Sequence, residues 1–239
     1  MAPSGRVEGS PIATLDADSV RTRVLIVDDH RAFAEAIAIA IDVQDDLACV
    51  GTVATIAAAL ETAGRVPPDV VLMDVHLPDG DGIEAMERLR AAGSAARVVI
   101  LTGFTDVDVL ARAAAAGASG FLAKESPISA VLEAIRAAES GDLQVEGTTL
   151  AAILGRVGSF GAGASAAGAG TPPLTPRERD VLALMGQGLD PHAIAASLGI
   201  SLHTCRGYQK GIMAKLDAHS QLEAVVVASR RGLIPRFSA

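Results

Sequence analysis

Between residues 24 and 139 the chain alternates between two hydrophobic periods. Five short runs rich in β-branched residues, at 24–27, 48–53, 70–73, 98–101 and 120–122, are separated by Ala-rich stretches whose apolar residues recur at helical spacing. Those stretches predict helices over 31–42, 55–63, 82–92, 106–116 and 127–139. The short runs are almost continuously apolar, as strands buried on both faces must be. The order therefore predicts an α/β fold, a (βα)5 doubly wound parallel sheet with helices on either side. The last helix has Ser126 as a candidate cap, Pro127 in its first turn, and Ile128, Val131, Leu132 and Ile135 as one apolar stripe. A first domain over 22–142 follows.

Beyond residue 172 the pattern changes to four short helices with strong boundaries. Thr175-Pro176-Arg177-Glu178 is a capping box with proline at the first helical position. Asp190-Pro191 opens a second helix that carries Ile194 and Leu198 and stops at Gly199. Ser201 starts a third, and Ser220 with Glu223 forms another capping box for the last. Two short helices about a tight turn predict a small all-α four-helix domain of helix-turn-helix type over 173–239, whose third helix would enter a major groove. Residues 1–21, with scattered acids and prolines and no periodicity, read as a disordered tail. Residues 143–172 read as a Gly/Ala-rich linker, with the helicity of 145–157 left open and a Gly/Ala/Ser tract after it that cannot pack a core.

Composition narrows the function. Half of the 239 residues are hydrophobic and the net charge is −8, which excludes a chain coated in cations for nonspecific nucleic-acid binding. The charge is unevenly placed. From residue 172 onward eight basic residues face five acidic ones, a balance of +3, which leaves −11 for the rest. Cys49 and Cys205 stand far apart without metal-ligand spacing, so neither a disulfide scaffold nor a zinc site is expected. No apolar run approaches the roughly 20 residues that span a bilayer, and the first twenty lack a signal-peptide core. A cytoplasmic, bacterial protein without membrane contact is expected, the bacterial assignment resting on its Ala- and Arg-rich composition.

In an open parallel sheet the ligand site lies at the carboxyl ends of the strands, where strand order reverses. There the chain places Asp28 and Asp29 after the first run, Asp74 after the third, Thr102 after the fourth and Lys124 after the fifth. Carboxylates about 4 Å apart repel by roughly 4 kcal/mol per pair at an effective dielectric near 20, so a cation belongs among them. Hard oxygen ligands of this kind suit Mg²⁺. Lysine usage sharpens the point: only three lysines occur against seventeen arginines, and Lys124 is the sole one before residue 210. Its ammonium suits a phosphoryl oxygen, with Thr102 donating to another and Asp74 as the in-line nucleophile. Taken singly each residue has a structural reading, Asp29 as a helix cap above all; Phe121 reads as core.

On the third helix of the second domain, Cys205, Ile212 and Leu216 share one face with Tyr208 at its edge. The other face carries His203, Arg206, Gly207, Lys210, Gly211 and Ala214, cations among residues too small to obstruct close approach. Two glycines each cost about 1 kcal/mol of helix stability relative to alanine, an expense that close contact with DNA would offset.

Two resemblances follow from these residues. The acid pair Asp28-Asp29, the stretch Leu72-Met-Asp-Val-His-Leu-Pro-Asp-Gly-Asp-Gly82, Thr102 and Gly120-Phe-Leu-Ala-Lys124 resemble a response-regulator receiver domain. That resemblance implies phosphorylation of Asp74 by a histidine kinase. It further implies Mg²⁺ held by Asp29, Asp74 and the backbone carbonyl of His76 with Asp28 in support, and a switch through Thr102 and Phe121. The chain departs from the usual pattern at Gly80, where an apolar side chain is common, and at His76; both bear on phosphoryl lifetime. Leu174 to Leu182, Ile194 to Ser201, Thr204, Ile212 and Lys215-Leu216 resemble the LuxR-type domain of NarL/FixJ response regulators. This implies contacts with double-stranded DNA through His203, Thr204, Arg206, Gly207 and Lys210, Lys215 near phosphate, and a homodimer through the last helix. The expected function is a transcription regulator controlled at Asp74 rather than an enzyme. Two alternatives stand beside it: the same architecture gated by a small ligand or working without phosphorylation, and, less favoured because His76 replaces a second carboxylate, a phosphotransfer enzyme.

Overall fold

The structure, a computed structural model, describes residues 21–103, 106–143, 145, 147–160 and 173–234. Residues 1–20 of the tail expected over 1–21, and residues 161–172 of the linker, lie outside these residues, whereas Arg21 is described and donates to Gln44 O at 2.7 Å. In chain order the first domain runs β1 (Thr22–Val27), α1 (Arg31–Asp42), β2 (Leu47–Val53), α2 (Ile56–Arg65), β3 (Val70–Asp74), a short antiparallel pair β4 (His76–Leu77) and β5 (Gly80–Asp81), α3 (Gly82–Ala91), β6 (Arg97–Thr102), α4 (Val107–Ala115), β7 (Gly120–Ala123) and α5 (Ile128–Ser140). The main sheet is parallel, with strand order β2-β1-β3-β6-β7, so the order reverses between β1 and β3.

Alternate residues of each strand serve opposite faces. Val24, Ile26, Leu72 and Leu101 pack with Ile37 and Ile41 of α1 and Ile135 of α5, while Leu25, Val27, Met73 and Ile100 pack with Ile56 of α2 and Met86 and Leu89 of α3. This is the doubly wound arrangement expected of runs apolar on both sides. Two caps differ from expectation. Pro127 itself is the N-cap of α5 and Ser126 makes no capping bond; His30, not Asp29, is the N-cap of α1.

Residues 147–160, assigned to the linker with their helicity left open over 145–157, form a helix α6 (Gly147–Phe160). Leu150, Ile153, Leu154 and Val157 are fully buried at i, i+3, i+4 and i+7 spacing, each contributing about 1.5–3 kcal/mol of burial. They cover Leu110, Ala111 and Ala114 on the outer side of α4. Four further helices follow: α7 (Pro176–Met185), α8 (Pro191–Leu198), α9 (Leu202–Leu216) and α10 (Gln221–Arg230). Their core continues without a break into α6 and α4, so one hydrophobic cluster joins the two domains. Gly199 closes α8 in the left-handed conformation at φ 64°, where glycine is unstrained.

The α7 capping box is formed as read: Thr175 Oγ1 accepts from Glu178 N, and Glu178 Oε2 accepts from Thr175 N at 2.6 Å. The second one is not. Ser220 Oγ caps Glu223 N, but Glu223 Oε2 accepts from His219 N, one residue earlier than a capping box requires. Buried Glu178 is also held by Lys215 Nζ at 2.7 Å. Burial alone would raise the Glu178 pKa, but Lys215 and the Thr175 amide outweigh it and hold the carboxyl below its ordinary value. A carboxyl lowered in the folded state stabilises above its unfolded pKa, and that stability is lost as pH falls through the folded value. Glu178→Gln is expected to cost about 1–3 kcal/mol at pH 7 and to flatten the acid-side decline below about pH 5. Urea titrations at pH 7 and pH 4 measure both.

Candidate functional site

The sheet brings together the residues that the strand-end pattern singled out. Asp28 follows β1 and Asp74 ends the neighbouring β3, so the two carboxylates meet at the point where strand order reverses. Both are buried. Lys124, just beyond β7, is anchored by its backbone N donating to Thr102 O at 2.9 Å and reaches across β6. Its Nζ lies 2.7 Å from Asp74 Oδ2, as a hydrogen bond, and 2.7 Å from Asp28 Oδ2, as an ion pair outside hydrogen-bond geometry. Backbone amides fix the other oxygens: His30 N donates to Asp28 Oδ1 at 2.8 Å and His76 N to Asp74 Oδ1 at 3.2 Å. Burial disfavours the Lys124 ammonium, yet its bonds to Asp28 and Asp74 outweigh that and hold its pKa above the ordinary lysine value.

Asp29 is exposed at the mouth, and oxygens of Asp28, Asp29 and Asp74 with a His30 nitrogen all lie within 4.8 Å of one another. The oxygen donors are hard and the set keeps one face open to solvent, which fits Mg²⁺. His30 was not singled out in the sequence, although its place directly after the acid pair was a usable signal. Its Nδ1 is 2.9 Å from Asp29 Oδ1 and 3.2 Å from Asp28 Oδ1. Thr102 is buried at the end of β6, and half-buried Phe121 packs against both the α2/α3 core and the core shared with α6–α10.

The loop after Asp74 is held from three sides. Gly82 N donates to Val75 O at 2.8 Å, and a Cβ on Gly82 would fall 1.9 Å from Asp74 O, so only glycine permits the approach. Asp79 accepts from Ile56 N and Ala57 N, tying the loop to the start of α2. Gly80, the departure from the usual apolar residue, has φ 148°, and a Cβ there would meet Ile56 Cδ1 at 3.0 Å. Asp81 caps α3 and pairs with Arg112 of α4 at 2.7 Å. Burial pushes the Asp81 carboxyl up, but Arg112 and the Ile83 amide together hold it below its ordinary value.

The residues expected to meet DNA divide into three groups. His203, Thr204, Arg206, Gly207 and Lys210 are exposed on α9, as read. Arg206 Nη2, however, lies 3.0 Å from Asp142 Oδ2 of the first domain, and Lys210 borders a cleft against α3 and β6. Lys215 is directed to Glu178 and, at 3.4 Å, to Pro173 O. Gln209, unremarked in the sequence, is buried between them, donating to Gln221 Oε1 at 3.2 Å; Gln221 in turn donates to Gly141 O. Ser220 Oγ donates to Ala118 O at 2.8 Å and Arg97 to His219 O. Asp142 Oδ1 and Gln209 Oε1 are buried in this seam without hydrogen-bond partners among the described residues. No sequence signal announced these contacts, which join residues up to 122 positions apart.

Residues 24–136 match the response regulator receiver domain, and residues 172–228 match bacterial regulatory proteins of the luxR family. Transcriptional regulatory protein LiaR of Bacillus subtilis is 31% identical over 212 residues, covering 89% of this chain and 99% of the relative. Nitrate/nitrite response regulator protein NarL of Escherichia coli is 29% identical, covering 85% and 93%. The solved RcsB response regulator of Salmonella typhimurium shares 20% identity at a TM-score of 0.50, covering 86% of this chain and 96% of that one, a likeness of fold alone.

Gly82→Ala is expected to destabilise the first domain by about 1–3 kcal/mol or more, since a methyl group cannot share space with the Asp74 carbonyl. An unfolding midpoint equal to that of the wild type would contradict the close approach.

Proposed function

The chain belongs to the NarL/FixJ family of two-component response regulators, a receiver domain joined to a LuxR-type DNA-binding domain, and on that premise we propose that phosphorylation of Asp74 decides whether α9 reaches DNA. The observation that carries this reading is the Lys124 ammonium shared by buried Asp28 and Asp74 at 2.7 Å each. An Asp74 oxygen attacks the phosphorus of a phosphohistidine on the partner kinase; the P–N bond breaks and the imidazole leaves with a proton. Lys124 then shifts its charge toward a phosphoryl oxygen, and Thr102 donates to another. Asp29, Asp74 and the His76 carbonyl, with Asp28 in support, would hold Mg²⁺, which when bound supplies further neutralisation of the equatorial oxygens.

The second half of the reading concerns access. Arg206, the leading candidate for base contact, is engaged by Asp142, and Lys210 faces the receiver. A helix so placed cannot enter a major groove while docked. The α4 helix is the natural relay: Arg112 ties it to the loop that carries Asp74, Arg156 of α6 pairs with Asp108 at its start, and α10 packs along it. Movement of the loop and of Thr102 and Phe121 loosens α4, releases α10 for pairing with a second copy, and frees α9. His203, Thr204, Arg206, Gly207 and Lys210 then face the duplex, with Lys215 at its phosphates, in the bacterial cytoplasm where operator DNA lies.

Asp74→Ala is expected to abolish labelling by acetyl phosphate; labelling that survives would refute the assigned nucleophile. Asp142→Asn should raise the affinity of the unphosphorylated protein for an operator recovered by DNA selection, by about tenfold if the Asp142 pair is worth near 1.4 kcal/mol. Fluorescence anisotropy measures it, and an unchanged affinity would remove Asp142 from the mechanism. Arg206→Ala should cost about 1–3 kcal/mol on that operator and much less on random DNA.

A further inference from the structure

A cleft of about 370 Å³ separates the receiver from the recognition helix, and neither the acid pocket nor the groove-reading face accounts for its chemistry. Arg90 of α3 and Arg97 of β6 enter it from one side, Lys210 of α9 and His219 from the other. Half-buried Met213 supplies apolar surface between them, with the buried Met86 of the receiver core directly beneath. The lining contains no aspartate or glutamate, in a chain of net charge −8. Among the described residues no carboxylate oxygen lies within 4.0 Å of the charged nitrogens of Arg90, Arg97 or Lys210. Elsewhere Arg112, Arg136, Arg156 and Arg206 each hold one.

The neighbouring polar groups offset this charge only in part. Arg90 Nη2 donates to Ala116 O at 3.1 Å, and Arg97 donates to the His219 carbonyl, so each guanidinium spends only part of its five donors. Four acids stand near without pairing: Glu223 is buried and accepts from His219 N at 2.7 Å, with His219 Nδ1 at 3.2 Å, while Asp69, Glu139 and Asp142 border Arg97 from outside the cleft. Gly117 clears the passage: at φ 95°, a Cβ there would come within 2.2 Å of Arg90 Nη2 and 2.8 Å of Glu223 Oε2.

We propose that this cleft binds a small organic oxyanion, a phosphate, phosphonate or carboxylate group borne on an apolar body. The planar forks of Arg90 and Arg97 suit such an oxyanion, Lys210 adds a point charge, and Met213 covers the body, with Met86 packed behind it. The volume lies within the usual range for small-ligand pockets. A bound anion touches both domains and so holds α9 against the receiver. That consequence rests on the DNA-binding reading of Lys210, whereas the site itself does not, and the test addresses the site alone.

The probe is phenylphosphonate, whose C–P bond prevents transfer to Asp74, titrated into the full chain without divalent cations so that Lys124, already paired with Asp28 and Asp74, is the sole cation of the acid pocket among the described residues. Calorimetry is expected to give one saturable site per chain. With methyl-¹³C methionine, the Met86 and Met213 resonances should move together while Met185, buried within the α7 core away from the cleft, stays fixed. Arg90→Gln combined with Arg97→Gln should weaken binding at least tenfold. Benzyl alcohol should not bind, and inorganic phosphate should bind more weakly than phenylphosphonate. Absence of saturable binding, unmoved Met86 and Met213 signals in the wild type, or unaltered affinity in the double variant would each overturn the proposal. Equal affinity for inorganic phosphate would overturn its apolar half.

Discussion

One ammonium stands between two carboxylates at the edge of a parallel sheet, and the rest of the molecule is arranged around that fact. Asp28 and Asp74 are buried on adjacent strands, where their mutual repulsion and their desolvation both count against folding. Lys124 reaches them because β7 and β6 are in register and the Lys124 amide is pinned to Thr102 O. The ammonium answers the repulsion without removing it. On the reading proposed above, a phosphoryl group on Asp74 would add oxygens that compete for the same cation and so change the balance of this small cluster.

That local change has a physical route outward. The Asp74 loop is tied to α2 through Asp79 and to α4 through the Asp81–Arg112 pair, and α4 shares its outer surface with α6 and α10. Phe121 touches both the receiver core and the core of the C-terminal helices. Two devices of different character thus converge on α4: exposed ion pairs, which adjust cheaply, and a continuous apolar cluster, which resists partial movement. A helix held in this way tends to shift as a unit.

The strands, the order of elements and the acid–lysine constellation were legible in the sequence because each has a local signature: β-branched runs, Ala-rich periodicity, and a lone lysine among arginines. The capping box at Thr175 and the Gly199 stop were legible for the same reason. Helix α6 was only half visible, since its apolar residues have meaning only once α4 is there to receive them. Ser126 was read as a cap from residue type alone, and capping was the structural alternative weighed for Asp29, but Pro127 and His30 stand at those ends without a side-chain capping bond. The Gly80 departure becomes intelligible through Ile56, twenty-four residues away in sequence and 3.0 Å from where a Cβ would stand. Arg206–Asp142 could not be read at all: each residue is unexceptional in its own segment, and their meeting depends on how two folded units come to rest.

The two orphaned acceptors in the domain seam have an effect on reversibility. Asp142 Oδ1 and Gln209 Oε1 are shut away from solvent with no donor among the described residues, and such a group typically costs about 1–3 kcal/mol. Separation of the domains rehydrates both, so a refund waits on the open side and offsets part of the contacts surrendered. The docked arrangement therefore carries a built-in cost that its separation relieves.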